Sequence, residues 1–238
     1  MIVACGDSMS VGVGDDDFNI NPGSWVKYFC QMTGNRMTFM AKNGTTTRDF
    51  VEKQLPQILS MKEKPTHAFI SVGGNDILRS YFSPSDIFDN VCKISIALKS
   101  ISIEPVFVEI IDVERAPTST RIAKKVMSAR CSEANLAVKS ACKMTKTKLI
   151  SLDDSFYHKD NFHIDGIHFN SRGYMSIALK AASLTQSYIV DYPVYMQKKW
   201  TKLGKVMWFI THATPWLMRR SVDLIPGLIY LYLKGIKK

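Results

Sequence analysis

Ser8 and His168 are the residues whose types and positions indicate nucleophilic catalysis. Ser8 follows the first predicted strand and precedes Ser10, Gly12 and Gly14, small residues that would expose its hydroxyl and let the backbone approach a substrate. A serine hydroxyl becomes a good nucleophile when a base lies within hydrogen-bond reach and a third group orients that base. Taken alone, Ser8 is more typical of an N-cap residue that opens the next helix.

The sequence Asp165-Gly166-Ile167-His168 supplies a candidate base and its orienting acid. A carboxylate three residues before a histidine can fold back through a turn at Gly166 and bind one imidazole nitrogen, while the other nitrogen faces Ser8. The alternative is an ordinary histidine in a surface loop. The other histidines have no comparably placed acid in the sequence: His67, His158, His163 and His212.

An acyl-transfer enzyme also needs fixed hydrogen-bond donors for the oxyanion that develops in the transition state. Gly44 suits this role because its backbone N–H is not screened by a side chain, and the Asn75 amide can supply a second donor at the end of the third strand. The alternative for Asn75 is a turn-forming residue after two glycines.

The elements that must position these residues have the pattern of a parallel sheet covered by helices, because short β-rich segments alternate with longer segments of helical period. The predicted strands are residues 1–5, 37–41, 67–72, 105–110 and 148–152. The predicted helices are residues 24–33, 48–61, 85–101, 121–142 and 174–189, the third with Ser85 as N-cap and Asp86 in its first turn. This order predicts a three-layer α/β/α sandwich with its ligand site at the carboxyl ends of the strands.

Length and composition favour one globular catalytic domain with an appendage. The chain has 238 residues, of which 46% are hydrophobic and 22% charged, a profile that excludes disordered and fibrous proteins. We expect a catalytic domain over residues 1–189 and a separate tail over residues 190–238. The five cysteines form no C-x-x-C pair, so reduced thiols are expected and a disulfide framework or zinc site is not. The N-terminus shows no secretory signal, which predicts a cytoplasmic location.

Four blocks of this sequence resemble, in order and in structural context, those of the GDSL/SGNH hydrolase family. Residues 6–12 (GDSMSVG) are similar to its nucleophile block, Gly44 to its glycine block, residues 73–76 (GGND) to its asparagine block, and residues 165–170 (DGIHFN) to its acid–histidine block. The resemblance spans nearly all of residues 1–189. The chain departs from the family at Phe169, where proline is usual, and in lacking a second glycine in the block of Gly44.

The resemblance implies a flavodoxin-like SGNH hydrolase fold and a two-step acyl transfer. It implies Ser8 as nucleophile, His168 as general base and then acid, and Asp165 as its orienting carboxylate. The oxyanion hole would consist of the Ser8 N–H, the Gly44 N–H and Asn75. The family uses no metal or cofactor, so neither is expected here.

The tail, residues 190–238, is basic and aromatic. It holds nine Lys or Arg and two Asp, which is most of the net charge of +10. In residues 196–210, apolar residues recur at helical spacing and lysines occupy other faces, which predicts a basic amphipathic helix. A second apolar segment, residues 224–233, is interrupted by Pro226 and Gly227 and is too short to span a bilayer unaided.

These features favour monotopic attachment of the tail to an anionic membrane, on the inner face. The predicted membrane-binding residues are Trp200, Lys202, Lys205, Trp208, Trp216, Arg219 and Arg220. The alternatives are packing of the tail on the catalytic domain or an oligomer contact. A nucleic-acid partner is not expected, because the tail has too many apolar residues for that role.

A membrane-bound tail makes an acyl lipid the expected ester substrate, so the first functional hypothesis is a lysophospholipase or phospholipase-like esterase, followed by an acyl thioesterase. An O-acetyl carbohydrate esterase is an alternative. The rival of another class is a membrane- or nucleic-acid-binding adaptor that keeps the fold without activity. The sequence does not indicate an oligomeric state.

Overall fold

The computed structural model of the chain describes residues 1–15, 24–117, 121–193, 200–214 and 229. Its centre is a five-stranded sheet in which every neighbouring pair is parallel and the strand order is β2-β1-β3-β4-β5. The strands are Ile2–Gly6 (β1), Met37–Phe39 (β2), His67–Ser71 (β3), Glu104–Val108 (β4) and Lys148–Ile150 (β5). This order is that of a flavodoxin-like fold, so the predicted fold class is confirmed.

Helices cover both faces of the sheet. The α-helices are Ser8–Val11 (α1), Ser24–Thr33 (α2), Thr47–Asp49 (α3), Leu55–Leu59 (α4), Pro84–Lys99 (α5), Arg121–Met144 (α6), Ser171–Leu184 (α7) and Lys202–Trp208 (α8). Short 3₁₀ turns occupy Asp76–Leu78, Asp154–Tyr157 and Lys159–Asn161, and π-helical turns occupy Phe50–Gln54 and Phe209–Ala213. None of the helices in the described ranges has both the length and the hydrophobicity needed to cross a bilayer.

The hydrophobic core has two halves, one on each face of the sheet. Because side chains alternate along a strand, Ile2 and Ala4 of β1 face one half and Val3 and Cys5 face the other. Helices α2 and α7 pack on the first half, and α4, α5 and α6 pack on the second. The cysteines are all free and buried, as expected from the sequence.

Two predicted helix starts were wrong because capping side chains set them elsewhere. The N-cap of α5 is Ser83 and not Ser85: the Ser83 hydroxyl accepts from the Asp86 N–H at 3.2 Å, and Pro84 occupies the first helical position. Helix α7 begins at Ser171, before residue 174, because the Asn170 side chain accepts from the Gly173 N–H. It ends at Leu184, before residue 189.

The helix predicted over residues 48–61 is interrupted by the π-helical turn Phe50–Gln54. This turn lies between α3 and α4, and it carries Gln54, whose buried side chain reaches the end of β1. Hydrophobic periodicity cannot separate this turn from an α-helix, because Phe50 and Leu55 are both buried in the core.

The predicted tail helix, residues 196–210, is shorter in the described part of the chain. Helix α8 begins after Thr201, whose hydroxyl accepts from the Gly204 N–H at 3.0 Å, and it continues into the π-helical turn Phe209–Ala213. Residues 194–199 lie outside the described residues, as do Trp216, Arg219, Arg220 and all of the predicted segment 224–233 except Ile229.

Candidate active site

Ser8, His168 and Asp165 form one chain of hydrogen bonds at the carboxyl end of the sheet. His168 Nε2 lies 2.9 Å from Ser8 Oγ, and His168 Nδ1 lies 2.7 Å from Asp165 Oδ2. The three residues thus have the geometry of a nucleophile, its base and the orienting acid. The structure therefore brings together residues that are 160 positions apart in the sequence.

A tight turn holds Asp165 and His168 in this arrangement. Asp165 Oδ1 accepts from the backbone N–H groups of Ile167 and His168, both at 2.9 Å. The turn is closed by His163, whose backbone N–H donates to the His168 carbonyl at 2.8 Å and whose carbonyl accepts from Gly166 at 3.0 Å. Both oxygens of Asp165 are therefore occupied, and the imidazole can rotate little.

Ser8 is held by the end of β1 and by Asp7. Ser8 is the first residue of α1, and the N-cap is Asp7, whose side chain accepts from the Met9 N–H at 3.1 Å. The alternative of Ser8 as an N-cap is therefore wrong. Asp7 also accepts from the Ser71 hydroxyl at 2.7 Å, so the turn that bears Ser8 is joined to the end of β3.

Gln54 joins the Ser8 strand to the loop of Gly44. Its Oε1 accepts from the Gly6 N–H at 2.7 Å, and its Nε2 donates to the Gly6 carbonyl at 3.0 Å and to the Thr45 hydroxyl at 3.1 Å. No local signal predicts this role, because Gln54 lies in a segment of helical period and its partners are distant in the sequence.

Gly14 allows the loop after α1 to approach the catalytic turn. A Cβ atom on Gly14 would lie 2.9 Å from the Cβ of His163 and 3.2 Å from that of His168, and it would overlap the Phe169 carbonyl oxygen. Gly14 also has a φ of +93°, a conformation that L-residues rarely adopt. Gly14 thus serves close packing against the turn of His168.

The two candidate oxyanion donors lie on loops that are bonded to each other. Asn75 Nδ2 donates to the carbonyl of Thr45, the residue after Gly44, at 3.2 Å. Asp76 strengthens this connection because its carboxylate accepts from both the Thr47 N–H and the Thr47 hydroxyl. Gly44 adopts a φ of +80°, which favours glycine at that position.

The charges of the site shift several pKa values. Burial lowers the pKa of His168, but the charge of Asp165 and the hydrogen bond to it outweigh burial, so the net shift is upward. Burial raises the pKa of Asp165, but the charge of His168 and its hydrogen bond outweigh it and hold that pKa at about 2. Burial raises the pKa of Asp7 to about 6, against the opposing effect of its hydrogen bonds from Ser71 and Met9.

A buried cluster around Asp15 anchors the loop that contains Gly14. The Asp15 carboxylate accepts from Lys27 Nζ at 2.9 Å, from the Tyr28 hydroxyl at 3.0 Å and from the Ser171 hydroxyl at 2.8 Å. These partners belong to α2 and α7, so the cluster connects the loop to the two helices on this face of the sheet.

The tail contacts the catalytic turn through aromatic rings. The rings of Trp200 and Trp208 both make edge contacts with the His163 imidazole, with centroid distances of 5.6 Å and 4.9 Å. Of the other predicted membrane-binding residues in the described ranges, Lys202 and Lys205 are exposed. The sequence had left His163 without a partner, because nothing local connects it to Trp200 or Trp208.

The described residues do not include a group of three or more His, Cys, Asp or Glu side chains that could hold a metal ion. The hydrogen-bonded arrangement of Ser8, His168 and Asp165 suits deprotonation of a serine hydroxyl, which is the first requirement of nucleophilic acyl transfer.

The chain resembles known proteins in sequence and in fold. The sequence model of the GDSL-like lipase/acylhydrolase family matches residues 4–175. No curated protein sequence matches the chain. Among solved structures, a member of the lipolytic protein G-D-S-L family from Veillonella parvula is 19% identical, with a TM-score of 0.60 over 78% of this chain and 97% of that one.

Two esterases are similar to the same extent. The psychrotrophic esterase EstA from Pseudoalteromonas sp., inhibited by monoethylphosphonate, is 18% identical with a TM-score of 0.58 over 78% of this chain and 96% of that one. The acetylxylan esterase Axe2 from Geobacillus stearothermophilus is 15% identical with a TM-score of 0.58 over 77% of this chain and 92% of that one. At these identities the likeness shows a shared fold.

Proposed function

The chain belongs to the GDSL-like lipase/acylhydrolase family, and we propose that it hydrolyses carboxylic esters or thioesters through an acyl-enzyme on Ser8. The family and the esterases among its structural neighbours support a carboxylic ester hydrolase. The observation that carries the assignment of residues is the unbroken hydrogen-bonded chain from Ser8 through His168 to Asp165.

In the first step, Ser8 Oγ attacks the carbonyl carbon while its proton passes to His168 Nε2, 2.9 Å away. Asp165 accepts the Nδ1–H of His168, which keeps Nε2 free to accept the proton and stabilises the imidazolium that forms. The carbon–oxygen or carbon–sulfur bond then breaks, His168 returns the proton to the leaving alcohol or thiol, and the acyl group stays on Ser8.

The oxyanion is assigned to the N–H groups of Ser8 and Gly44 and to the side-chain amide of Asn75. One hydrogen of Asn75 Nδ2 is bonded to the Thr45 carbonyl, so the amide keeps a second hydrogen for the substrate oxygen. That bond also holds the amide next to the loop of Gly44, which supports a joint role for the two donors.

In the second step, His168 takes a proton from water, and the resulting hydroxide attacks the acyl carbonyl. Collapse of this intermediate breaks the bond to Ser8 Oγ, which recovers its proton from His168, and the carboxylic acid leaves. The same donors serve both steps, so the mechanism requires no further group.

The substrate class that we favour is an acyl lipid at an anionic membrane surface, as in a lysophospholipase or phospholipase-like esterase. This proposal is supported by the basic, aromatic tail and by the contact of Trp200 and Trp208 with the catalytic turn. An acyl thioesterase fits the same mechanism, because a thiolate is a better leaving group than an alkoxide.

An O-acetyl carbohydrate esterase is the second candidate. The observation in its favour is the fold that the chain shares with the acetylxylan esterase of Geobacillus stearothermophilus. The two candidates differ in the acyl chain they accept: an acetyl ester requires only a small acyl pocket, whereas a lipid ester requires an apolar surface for a long chain.

The test is hydrolysis of p-nitrophenyl esters from acetyl to palmitoyl, combined with labelling by a fluorophosphonate. Wild type should hydrolyse the esters and take up one label, and Ser8→Ala should do neither. Ser60→Ala is the matched control, because Ser60 is an exposed serine whose hydroxyl donates to the Gln57 carbonyl, and it should behave as wild type.

A preference for long acyl chains would support the lipid substrate, and a preference for acetyl would support the carbohydrate ester. Folded wild type that neither hydrolyses any ester nor takes up the label would contradict the proposed function and favour the adaptor hypothesis.

A further inference from the structure

Helix α8 and the π-helical turn that continues it present an apolar stripe to solvent. The stripe consists of Leu203, Val206, Met207 and Ile210, which are 71%, 54%, 51% and 57% exposed. Their spacing is i, i+3, i+4 and i+7, the spacing of one face of a helix. Such a contiguous apolar stripe on a solvent-exposed surface indicates a contact with a membrane or with another protein.

The other side of α8 contacts the catalytic domain. Successive residues of an α-helix are about 100° apart around its axis, so Trp208 lies well over a quarter turn from the centre of the apolar stripe. Trp208 is half-buried, and its ring contacts the His163 imidazole. Because contacts with His163 occupy the Trp208 side, the apolar stripe is left pointing away from the catalytic turn.

Trp200 adds a second contact to the same imidazole. It stands directly before the N-cap Thr201, and its ring packs over the first turn of α8: a Cβ atom on Gly204 would lie 3.5 Å from Trp200 Cε3. The imidazole of His163 therefore contacts rings from both ends of the helix. His163 in turn closes the turn that contains Asp165 and His168 through its backbone hydrogen bonds.

Charge decides which partner fits the apolar stripe. Lys202 and Lys205 are exposed on other faces of α8, and the whole segment 190–238 has nine Lys or Arg against two Asp. A helix with an apolar stripe and exposed cations on its other faces matches the interface of an anionic bilayer, where apolar side chains enter the acyl boundary and cations meet phosphates.

We propose that α8 is a bilayer-contact helix coupled to the catalytic turn. Its apolar stripe enters the interface of an anionic bilayer, and the contacts of Trp200 and Trp208 with His163 hold the active site in a fixed orientation to that bilayer. His163 is thus a positioning residue. The inference rests on the proposed esterase function for its catalytic consequence, and on the apolar stripe and the exposed lysines for membrane binding.

The first experiment measures binding and hydrolysis by the full chain with vesicles of phosphatidylcholine and phosphatidylglycerol. Two quantities are compared: co-sedimentation with the vesicles, and the ratio of the rate on p-nitrophenyl palmitate in the vesicles to the rate on soluble p-nitrophenyl acetate. For Leu203→Ser with Met207→Ser, both vesicle affinity and this ratio should fall about tenfold or more, because two apolar side chains no longer enter the interface.

The matched control is Ile96→Ser with Leu136→Ser, which changes two equally exposed apolar residues on α5 and α6. Its vesicle affinity and rate ratio should equal those of wild type. Vesicles of phosphatidylcholine alone should bind wild type more weakly, since the lysines then lack anionic partners.

The second variant, His163→Ala, tests the coupling. The apolar stripe is intact, so vesicle affinity should stay within about twofold of wild type, while the rate ratio should fall about tenfold because the active site is no longer held toward the bilayer. A purely structural role of His163 would lower both rates together and leave the ratio unchanged, and this result would overturn the coupling.

The outcomes distinguish the inference from the proposed function. Wild type that hydrolyses the soluble ester but binds vesicles no better than the Leu203/Met207 variant would overturn the inference and leave the esterase intact. Wild type that hydrolyses no ester contradicts the proposed function, and the co-sedimentation comparison still decides whether the apolar stripe binds the bilayer.

Discussion

Asp7 and Ser71 form a buried hydrogen bond, 2.7 Å long, directly beneath the turn that carries Ser8. The same carboxylate caps α1, and Ser71 Oγ lies 2.9 Å from the hydroxyl of Ser10. The Asp7 carboxyl group is buried, and its charge interacts with that of His168. Several properties of the site depend on this arrangement.

The ionisation of Asp7 should make folding less favourable as pH rises. Its pKa is raised to about 6 in the folded state, so the protonated form is favoured by folding. The contribution of protonated Asp7 to the free energy of unfolding is fully present below the pKa that Asp7 has in the unfolded chain, and it is lost as pH rises through about 6.

The variant Asp7→Asn can still accept hydrogen bonds from the Met9 N–H and the Ser71 hydroxyl, but it cannot ionise. Between pH 4 and pH 8, the free energy of unfolding of wild type should therefore fall by about 2–3 kcal/mol relative to Asp7→Asn. Urea unfolding at both pH values measures this, and parallel pH dependences would contradict it.

Asp165→Asn should lower kcat, and it should also lower the pH midpoint at which kcat/KM rises. A general base works when neutral, so kcat/KM should rise with pH through the pKa of His168, which in wild type lies above the usual value. Asparagine removes the charge and the hydrogen-bonded carboxylate that raise this pKa, so the midpoint should move to lower pH, and kcat should fall by about 10⁴-fold. The pH–rate profile of kcat/KM is the measurement.

His158→Ala is the control for that profile, because His158 is an exposed histidine that also lies beside an acid, Asp160. Its profile should match that of wild type. An unchanged midpoint in Asp165→Asn would mean that a group other than His168 controls the activity.

Asn75→Ala should reduce kcat by about 10²–10³-fold with a much smaller change in KM, because an oxyanion donor acts in the transition state. The control is Asn90→Ala, which also loses an amide hydrogen bond to this region, that from Nδ2 to the Thr47 hydroxyl at 3.1 Å. Steady-state kinetics of both variants on a soluble ester separate the loss of an oxyanion donor from the loss of a hydrogen bond that only holds the loop. Equal losses in both variants would indicate that Asn75 only maintains the loop.

Gly14→Ala should damage activity more than Gly34→Ala, although both glycines have positive φ. Alanine in this conformation costs about 1–2 kcal/mol in either place. At Gly34 the nearest atom to a new Cβ is Val190 Cγ2 at 3.9 Å, whereas at Gly14 the Cβ would push on the turn of His168. We expect at least about a tenfold loss of kcat in Gly14→Ala and little change in Gly34→Ala, since displacement of a catalytic group is costly. Thermal unfolding and steady-state kinetics on the same samples measure stability and kcat. Equal losses of kcat in the two variants would contradict the prediction.

Asp15→Asn should destabilise the fold strongly. The change leaves the Lys27 ammonium, which is 4% exposed, without its carboxylate, and a broken buried ion pair costs about 3–5 kcal/mol. The control is Lys53→Met, which breaks the exposed pair with Asp49 and should cost much less than Asp15→Asn, because solvent screens an exposed ion pair. Urea unfolding at pH 7 compares the two. Similar small losses would show that Asp15 contributes little to the anchoring of the loop after α1.

The strand pattern and the four motif blocks could be read from the sequence because they rest on local properties. Hydrophobic periodicity placed each strand within about two residues, as for β3, predicted over residues 67–72 and observed at His67–Ser71. The turn from Asp165 to His168 was predictable for the same reason: its acid and base are three residues apart. Parallel strands end at one edge of the sheet, so Ser8 and Asn75 could be expected near that turn.

Contacts between distant segments could be decided only by the tertiary structure. Gln54 and Gly6 are 48 residues apart, and nothing near Gln54 shows that its amide must bond to the end of β1. Capping contacts also determine where helices begin. Because the Asn170 side chain caps α7, this helix begins at Ser171, earlier than its hydrophobic periodicity indicates.

The sequence by itself determined the class of chemistry, because residue types and short spacings define which groups can act as nucleophile, base and acid. Only the tertiary structure decided that the tail helix adjoins the catalytic turn through His163. The physical reason is that periodicity and charge are properties of one segment, whereas the meeting of two surfaces depends on their complementary shapes, which no single segment encodes.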